Sequence, residues 1–425
     1  MKKLILAISL LCVFCAVSPA QGMKTYVEDL ASAMYEGRGA GTEGEKEAAA
    51  YIGEAFRKLG LDLLYGAEGD VFGMKKENGD TLVSRNVAAV ISGYDRELKD
   101  HYIVIGARLD NLGSRMINVN GERVNQIFRG ANGNASGLAM MLQLAENLSL
   151  NRAQLKRSVI FAAFGAAEEM NAGSWYFLNR SFAHVDAVDA YINLDMLGTG
   201  SNGFYAYTCS NPDMNNKLDA LRNTLQPVHP KTVAKEPVRS DHRSFYAAKI
   251  PSVFFTTGMY PEYNTVRDTP SVVEYDWMER LQEYIFNFTV SLANGTKPEF
   301  EAAAPTSVSD PSEGVVAYSE CDYRPTFLGS PDPGTFLKKW VYVYLKYPKS
   351  AVEDGVQGRV LVDFIIDEKG RVGNVKVLKG VDPRLDAEAV KAVASSPDWK
   401  PGRLRGRKVK TELSIYVEFR LKKNK

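Results

Sequence analysis

Short apolar, β-branched runs recur through the first two thirds of the chain, at 86–91, 102–105, 158–164, 191–194 and 252–255. Helical periodicity alternates with them over 134–148, 171–179, 213–225 and 275–293. This alternation predicts an α/β sheet with helices on both faces. Carboxylates fall just after the strand ends, where such sheets place their sites. Ahead of the strands, residues 24–60 show helical periodicity broken by GRGAGTEG. EKEAAAYIGEAFRKLG is rich in helix formers and ends at Gly60, a natural helix stop. The spacing of Gly39, Gly41 and Gly44 matches a dinucleotide fingerprint. It follows a helix instead of a strand, so that reading is set aside.

Periodicity stops near Gly295. Residues 296–320 are rich in Pro, Ala, Ser and Glu and read as a linker. A second pattern follows: a helix over 334–346, a strand over 359–366, a turn at 367–370 and a strand over 371–377. A helix over 385–393 and a strand over 410–420 complete a small α+β unit at 321–425. This unit holds 22 Lys and Arg against 13 Asp and Glu, a net of +9, so the remainder carries −8 of the total +1. The two modules therefore differ in sign, which bears on partners and not on fold.

The chain has 425 residues, 45% hydrophobic and 24% charged, an ordinary globular mix for two or three domains. A net charge of +1 gives no global argument for nucleic acid. MKK followed by an apolar run from Leu4 to Val17 and by Ser-Pro-Ala20 reads as a cleaved secretory signal over 1–20. An uncleaved anchor is the alternative, although the run is shorter than the roughly 20 residues a spanning helix needs. Bulky Leu11 and Phe14 before Cys12 and Cys15 argue against lipid attachment. The expected location is exported, in a bacterial periplasm or envelope, with no transmembrane helix in the mature chain. Cys209 and Cys321 remain after cleavage and read as two ordinary thiols in different domains.

Seven motifs occur in order over 24–295: GRGAGTEG with AAAYIGEAF, IVIGARLDNLG, RGANGNASG, FAAFGAAEE, INLDMLG, SDHRSF and YNTVRDTP. Together they resemble the secreted two-zinc aminopeptidases, a family that includes the glutaminyl cyclases. The resemblance implies a three-layer α/β domain with a central mixed sheet over 21–295. It also implies two zinc ions bridged by an aspartate and a glutamate base that takes a proton from the shared water.

Carried over residue by residue, the resemblance puts Glu168 at the general-base position, Glu169 and Asp195 at ligand positions, and Asp110 at the orienting position. The first ligand histidine falls on Arg108, the bridging aspartate on Gly133 and the last ligand histidine on Asn264. Arginine stays protonated, glycine has no donor and asparagine is a poor one, so three of the five ligand positions are lost. Zinc needs three or four protein ligands. Arg108 is expected to pair with Asp195 and also with Glu169. His242 and Tyr263 match positions that line the family's substrate pocket. Outside this context, Glu168 and Glu169 read as an ordinary solvated pair, Asp195 as a helix cap, the glycines of 130–137 as a tight turn, and Asn132 as a cap of the helix that follows.

The second module carries YPKSA, GRVLVDFIID, DPRLDAEA and WKPG. It resembles the TonB C-terminal domain, which implies two helices on a three-stranded sheet and binding of an envelope protein or cell-wall component. The basic run from Arg403 to Lys410 reads equally as a contact for acidic partners and as a solvated edge that blocks strand pairing.

The expectation is an exported protein whose peptidase-like domain is degenerate and non-catalytic. Such a domain would bind a peptide or amino acid through Arg108, Glu168, Glu169, Asp195, His242 and Tyr263, with no cofactor and no nucleic acid. The alternative is a working zinc aminopeptidase with an altered metal site. A third reading makes the first module a scaffold for the second.

Overall fold

The computed structural model describes residues 22–75, 80–119, 122–200, 203–301, 314–404 and 406–421. The signal expected at 1–20 lies outside these residues. The chain divides into two compact units, Met1–Ala234 with Ser240–Glu301, and Lys235–Arg239 with Ala302–Lys425.

The first unit is built on β1 (Asp62–Leu63), β2 (Asp70–Lys75), β3 (Thr81–Ile91), β4 (Tyr102–Arg108), β7 (Ser158–Phe164), β8 (Val188–Leu194), β9 (Tyr205–Tyr207), β10 (Lys231–Thr232) and β11 (Ser252–Thr256). A separate hairpin, β5 (Ser114–Val119) with β6 (Glu122–Ile127), follows β4. The sheet runs β1-β3-β7-β4-β8-β11-β9-β10, with β2 on β3. Its centre, β7-β4-β8-β11, is parallel, while β3 and β9 join it antiparallel. The central strands are apolar on both faces, as a sheet covered on both sides requires. Val159, Phe161 and Ala163 of β7 face the core formed with helices Met23–Leu30, Glu43–Lys58, Ser136–Leu150 and Tyr275–Asn294. Ile160, Ala162 and Phe164 face the other layer, which contains Phe177 and Phe245. The helix Glu43–Lys58 begins at Thr42, whose side chain accepts the Glu45 N–H, and stops at Gly60 with φ +73°.

The five strands and the helices read from sequence are all present, with ends shifted by a few residues. β2, the β5–β6 hairpin, β9 and β10 were not anticipated. β9 and β10 have only two or three residues, and β2 buries Asp70 but exposes Val71, so its polarity does not follow its burial.

The second unit contains β12 (Val315–Ala317), β13 (Gly358–Ile366), β14 (Val372–Lys379), β17 (Lys410–Phe419) and a ribbon of β15 (Arg403–Leu404) with β16 (Arg407–Lys408). Val360, Val362, Phe364 and Ile366 of β13 and Leu413, Ile415, Val417 and Phe419 of β17 form one buried face. Leu385, Ala389, Ala392 and Val393 of helix Pro383–Ala394 cover it, and Phe336 packs against Trp399 at 5.0 Å. The turn between β13 and β14 needs Gly370 (φ +94°), because a Cβ there would lie 1.8 Å from the Trp399 carbonyl oxygen. Two expectations are corrected. The sheet has four strands, in the order β12-β17-β13-β14, instead of three. The linker reading over 296–320 fails at its end, since Val315–Ala317 is a strand and Tyr318–Glu320 a single 3-10 turn. Three residues are too few for periodicity to register.

Cys209 and Cys321 are free, buried and in different units. Among the described residues no helix is long and apolar enough to cross a membrane.

Candidate functional site

The C-terminal ends of β4, β7 and β8 bring Arg108, Glu168 and Asp195 together. Arg108 is 5% exposed and Asp195 1%. The guanidinium grips Asp195 with two nitrogens, Nε to Oδ2 at 2.8 Å and Nη2 to Oδ1 at 3.1 Å. Its third nitrogen, Nη1, donates to Glu168 Oε1 at 2.8 Å. The Ser240 hydroxyl donates to Asp195 Oδ2 at 2.9 Å. Burial alone would lower Arg108, but Asp195, Tyr263 and Glu168 outweigh it and hold the guanidinium well above its ordinary value. The expected Arg108–Asp195 pair is therefore present, and Arg108 also pairs with Glu168, where Glu169 was expected.

Asp110 is fully buried and accepts the N–H groups of Ala167 (2.7 Å) and Glu168 (3.1 Å). With an arginine at position 108 there is no ring for it to orient; it fixes the backbone of the glutamate pair instead. Burial, with Glu45 and Glu168 nearby, pushes Asp110 well above the usual carboxylate range. Glu45 ties GRGAGTEG to the same loop, accepting from Gly41 N–H (2.7 Å), the Ser84 hydroxyl (2.6 Å) and Ala166 N–H (3.3 Å). Burial, reinforced by Asp195, pushes the fully buried Asp241 up to about 7.

The loop 130–134 is held by residues that sequence reasoning did not single out. Asp268 accepts from Asn132 N–H at 2.8 Å and Gly133 N–H at 3.1 Å, and the Tyr260 hydroxyl donates to it at 2.6 Å. A Cβ at Gly133 would meet the Tyr260 hydroxyl at 3.0 Å, and Asp268 Oδ2 and the Tyr263 ring at 3.4 Å. Arg38, fully buried, donates to the carbonyls of Leu109, Leu30, Arg129 and Gly130. Burial lowers its pKa to about 10. The signal for Arg38 was an arginine between two glycines, and for Asp268 a carboxylate inside YNTVRDTP. Asn132 does not cap the following helix: its Oδ1 accepts from the Ser136 hydroxyl and Gly198 N–H. Asn134 accepts the Gly137 N–H in its place.

Glu168 and Glu169 line a cleft of about 270 Å³ with Glu36, Thr42, Asn111 and Ser114. Two expected ligand contacts are corrected. Asp195 is closed off by Arg108 and Ser240. His242 is 1% exposed, stacked on Phe254 (5.1 Å) and edge-on to Tyr207 (5.6 Å), so it packs the aromatic layer. Tyr263 lies beside Tyr260, ring to ring at 5.8 Å, and Asn264 is half-buried with φ +56°.

Tested against a zinc ion, the donor set does not fit. A fixed cation sits on Asp195 and Glu168, and the space above Gly133 belongs to Tyr260, Tyr263 and Asp268. Among the described residues no group of three or more His, Cys, Asp or Glu side chains is placed to hold a metal.

The fold and the strand-end position of these residues are those of an aminopeptidase-like α/β domain. Residues 86–289 match the model of peptidase family M28, and residues 343–421 that of the Gram-negative bacterial TonB protein C-terminal. The chain thus joins a peptidase M28 domain to a TonB C-terminal domain. Aminopeptidase YwaD of Bacillus subtilis (strain 168) is 26% identical over 242 residues, 54% of this chain and 52% of that protein. The chain spans about half the length of this curated relative. An aminopeptidase from Aneurinibacillus sp. strain AM-1 superposes with TM-score 0.52 at 17% identity, over 66% of this chain and 95% of that one. The Legionella pneumophila LapA aminopeptidase gives 0.51 at 20% identity, over 66% and 72%. A Zn-dependent exopeptidase from Parabacteroides distasonis gives 0.50 at 15% identity, over 64% and 97%. At these identities the structures speak to the fold alone.

Proposed function

We propose that the M28 domain is a non-catalytic binding domain of an exported envelope protein, and that the TonB C-terminal domain supplies contact with an envelope protein or the cell wall. One observation carries this reading: the Arg108 guanidinium rests on Asp195 and Glu168, the carboxylates at the family's ligand and general-base positions. A permanent cation there repels a metal ion and occupies a carboxylate oxygen that would otherwise face a water. The cleft at Glu36, Glu168 and Glu169 suits the amino terminus of a peptide or a free amino acid, with the carboxylates facing the ammonium group. The working-aminopeptidase reading keeps one observation in its favour, since Glu168 is 20% exposed and reaches the cleft.

Elemental analysis of the purified chain, after incubation with excess zinc and removal of free ion, tests the choice. The expected result is negligible bound zinc and no release of p-nitroaniline from aminoacyl anilides. One or two tightly held zinc ions, together with hydrolysis abolished by Glu168→Gln, would establish the peptidase and end the present reading. A thermal-shift panel of dipeptides then separates a binding domain from a scaffold.

A further inference from the structure

One helix of the second unit has one side in the core and the other in solvent. It runs without a break through Pro333–Phe336, Leu337–Val341 and Tyr342–Tyr344. Phe336 and Val341 belong to the core, with Leu337 and Trp340 packed against it. On the solvent side Lys338 and Lys339 are exposed, and Tyr342, Val343 and Tyr344 are 42%, 63% and 53% exposed. Single apolar side chains at a surface are ordinary, but three in succession are not. Lys338 stands four residues before Tyr342, and Lys339 four before Val343, so each lysine is about one turn from an exposed apolar side chain.

The rings are held in place. The Glu418 N–H donates to the Tyr342 hydroxyl at 3.3 Å, and the Tyr344 ring lies 4.2 Å from that of Trp340. The Trp340 indole N–H in turn donates to the Ala392 carbonyl at 3.2 Å. Contact with a partner therefore costs these side chains little freedom. Beyond the helix Lys346, Lys349 and Val352 are exposed too. Over 333–352 the chain has four lysines and neither Asp nor Glu. Glu418, beside Tyr342, is paired with Arg359 and Arg420, so it adds no free negative charge to the strip.

This combination decides the kind of partner. Exposed rings flanked by lysines match a bilayer interface, where rings sit at the headgroup level and lysine stems follow them while the ammonium groups meet phosphates. Lysine is a point charge without the fixed fork of arginine, which suits a fluid layer of headgroups. The other basic run differs. On the β15–β16 ribbon Arg403, Arg407 and Lys408 are exposed, but Leu404 and Val409 pack inward with Val316 and Cys321. That ribbon offers charge alone.

We propose that the strip 338–349 docks the second unit on an anionic phospholipid surface, with Tyr342, Val343 and Tyr344 entering the headgroup region and the four lysines on the phosphates. The lysines bring the chain to the surface and the apolar side chains keep it there, so docking is reversible and weakened by salt. The proposal depends neither on the first unit being non-catalytic nor on a protein or cell-wall partner for the second.

The test is co-sedimentation of the chain from residue 22 with vesicles of phosphatidylethanolamine and phosphatidylglycerol, against vesicles of phosphatidylcholine alone. The chain is expected to pellet with the anionic vesicles at about 0.15 M salt and to stay in solution with the neutral ones. Lys338→Gln with Lys339→Gln should weaken binding roughly ten-fold or more. Val343→Gln with Tyr344→Ser should weaken it by a similar factor, and both variants should keep the circular-dichroism melt of the unaltered chain. Arg407→Gln with Lys408→Gln removes the same charge from the ribbon and should weaken binding by less than about three-fold. If the first lysine variant melts lower, Lys346→Gln with Lys349→Gln repeats the test at the far end of the strip. No pelleting with the anionic vesicles, or equal pelleting with the neutral ones, overturns the proposal. An equal loss from the ribbon variant overturns it as well, because the attraction is then one of net charge. Full binding after Val343→Gln with Tyr344→Ser does the same, since it leaves only a contact for polyanions of any kind.

Discussion

Arg38 and Arg108 are both buried in the first unit, yet their surroundings are opposite. Arg38 donates to four backbone carbonyls from three separate segments of the chain, and burial lowers its pKa to about 10. Arg108 faces two carboxylates and is held well above its ordinary value. The first is a staple: it gives a donor to the carbonyls of residues 30, 109 and 129 and a second one to Gly130, which also accepts the Ala135 N–H. The second is a counter-charge for carboxylates whose positions, in the resembling family, belong to metal ligands and a base. A buried cation thus says little by itself. Whether its partners are carbonyls or carboxylates decides whether it holds a loop or replaces an ion.

The contrast predicts unequal costs. Arg38→Ala removes a donor from four carbonyls, of which Gly130 keeps the Ala135 N–H, and leaves a cavity; it is expected to lower the stability of the first unit by about 5 kcal/mol. Arg108→Leu leaves Asp195 buried without its cation. Because a carboxylate can take up a proton, the expected loss is smaller, about 3 kcal/mol. Urea unfolding of the first unit measures both. The sharper comparison is rescue: adding Asp195→Leu to Arg108→Leu should restore most of the loss, since the apolar pair leaves no charge behind. No single partner change can rescue Arg38→Ala. Equal rescue in the two cases, or none for the pair, would break the distinction.

Gly133 gives an intermediate effect. Its φ of −119° is open to any residue, so the cost of a side chain there is one of space. Gly133→Asp is expected to cost about 2 kcal/mol from crowding against Tyr260, Asp268 and Tyr263. Tyr260→Phe in the same chain should recover part of it by removing the hydroxyl. If the double variant is no more stable than Gly133→Asp, the crowding lies elsewhere.

Much of this was legible in the sequence, for physical reasons. β7 is buried at all seven positions and apolar at six of them because it is covered on both faces, and its limits were read to the residue. Arg108, Glu168 and Asp195 were brought together by the family resemblance, and each lies at or shortly after the end of a strand in the sheet's parallel centre, where such sheets gather their sites. What could not be read depends on three-dimensional closure. Asp268 lies 136 residues from the Asn132 N–H it accepts. The burial of His242 follows from stacking on β11, which no local pattern reports. Whether Arg108 reached Glu168 or its neighbour Glu169 turned on one residue of a loop, below the resolution of any motif.

The last expected effect concerns protons. Asp241 has a pKa of about 7 in the folded chain against an ordinary 3.8, so the folded state holds a proton that the unfolded chain releases. The resulting contribution to stability is full below about pH 4 and declines as pH rises toward 7, where the folded-state carboxyl also ionises. The pKa of Glu45 is raised by burial in the same sense. The melting temperature of the first unit should therefore fall between about pH 5 and pH 8, by about 2–4 °C for each kcal/mol involved. Asp241→Asn keeps the shape, removes the titration and should flatten that slope. Arg108 acts against it, because a nearby cation favours the ionised form. Arg108→Leu should steepen the same slope, which ties the proton balance of the site to the Arg108 guanidinium. A slope unchanged by either substitution would mean that Asp241 is already ionised throughout, and that Arg108 neutralises more of the site than Asp195 and Glu168.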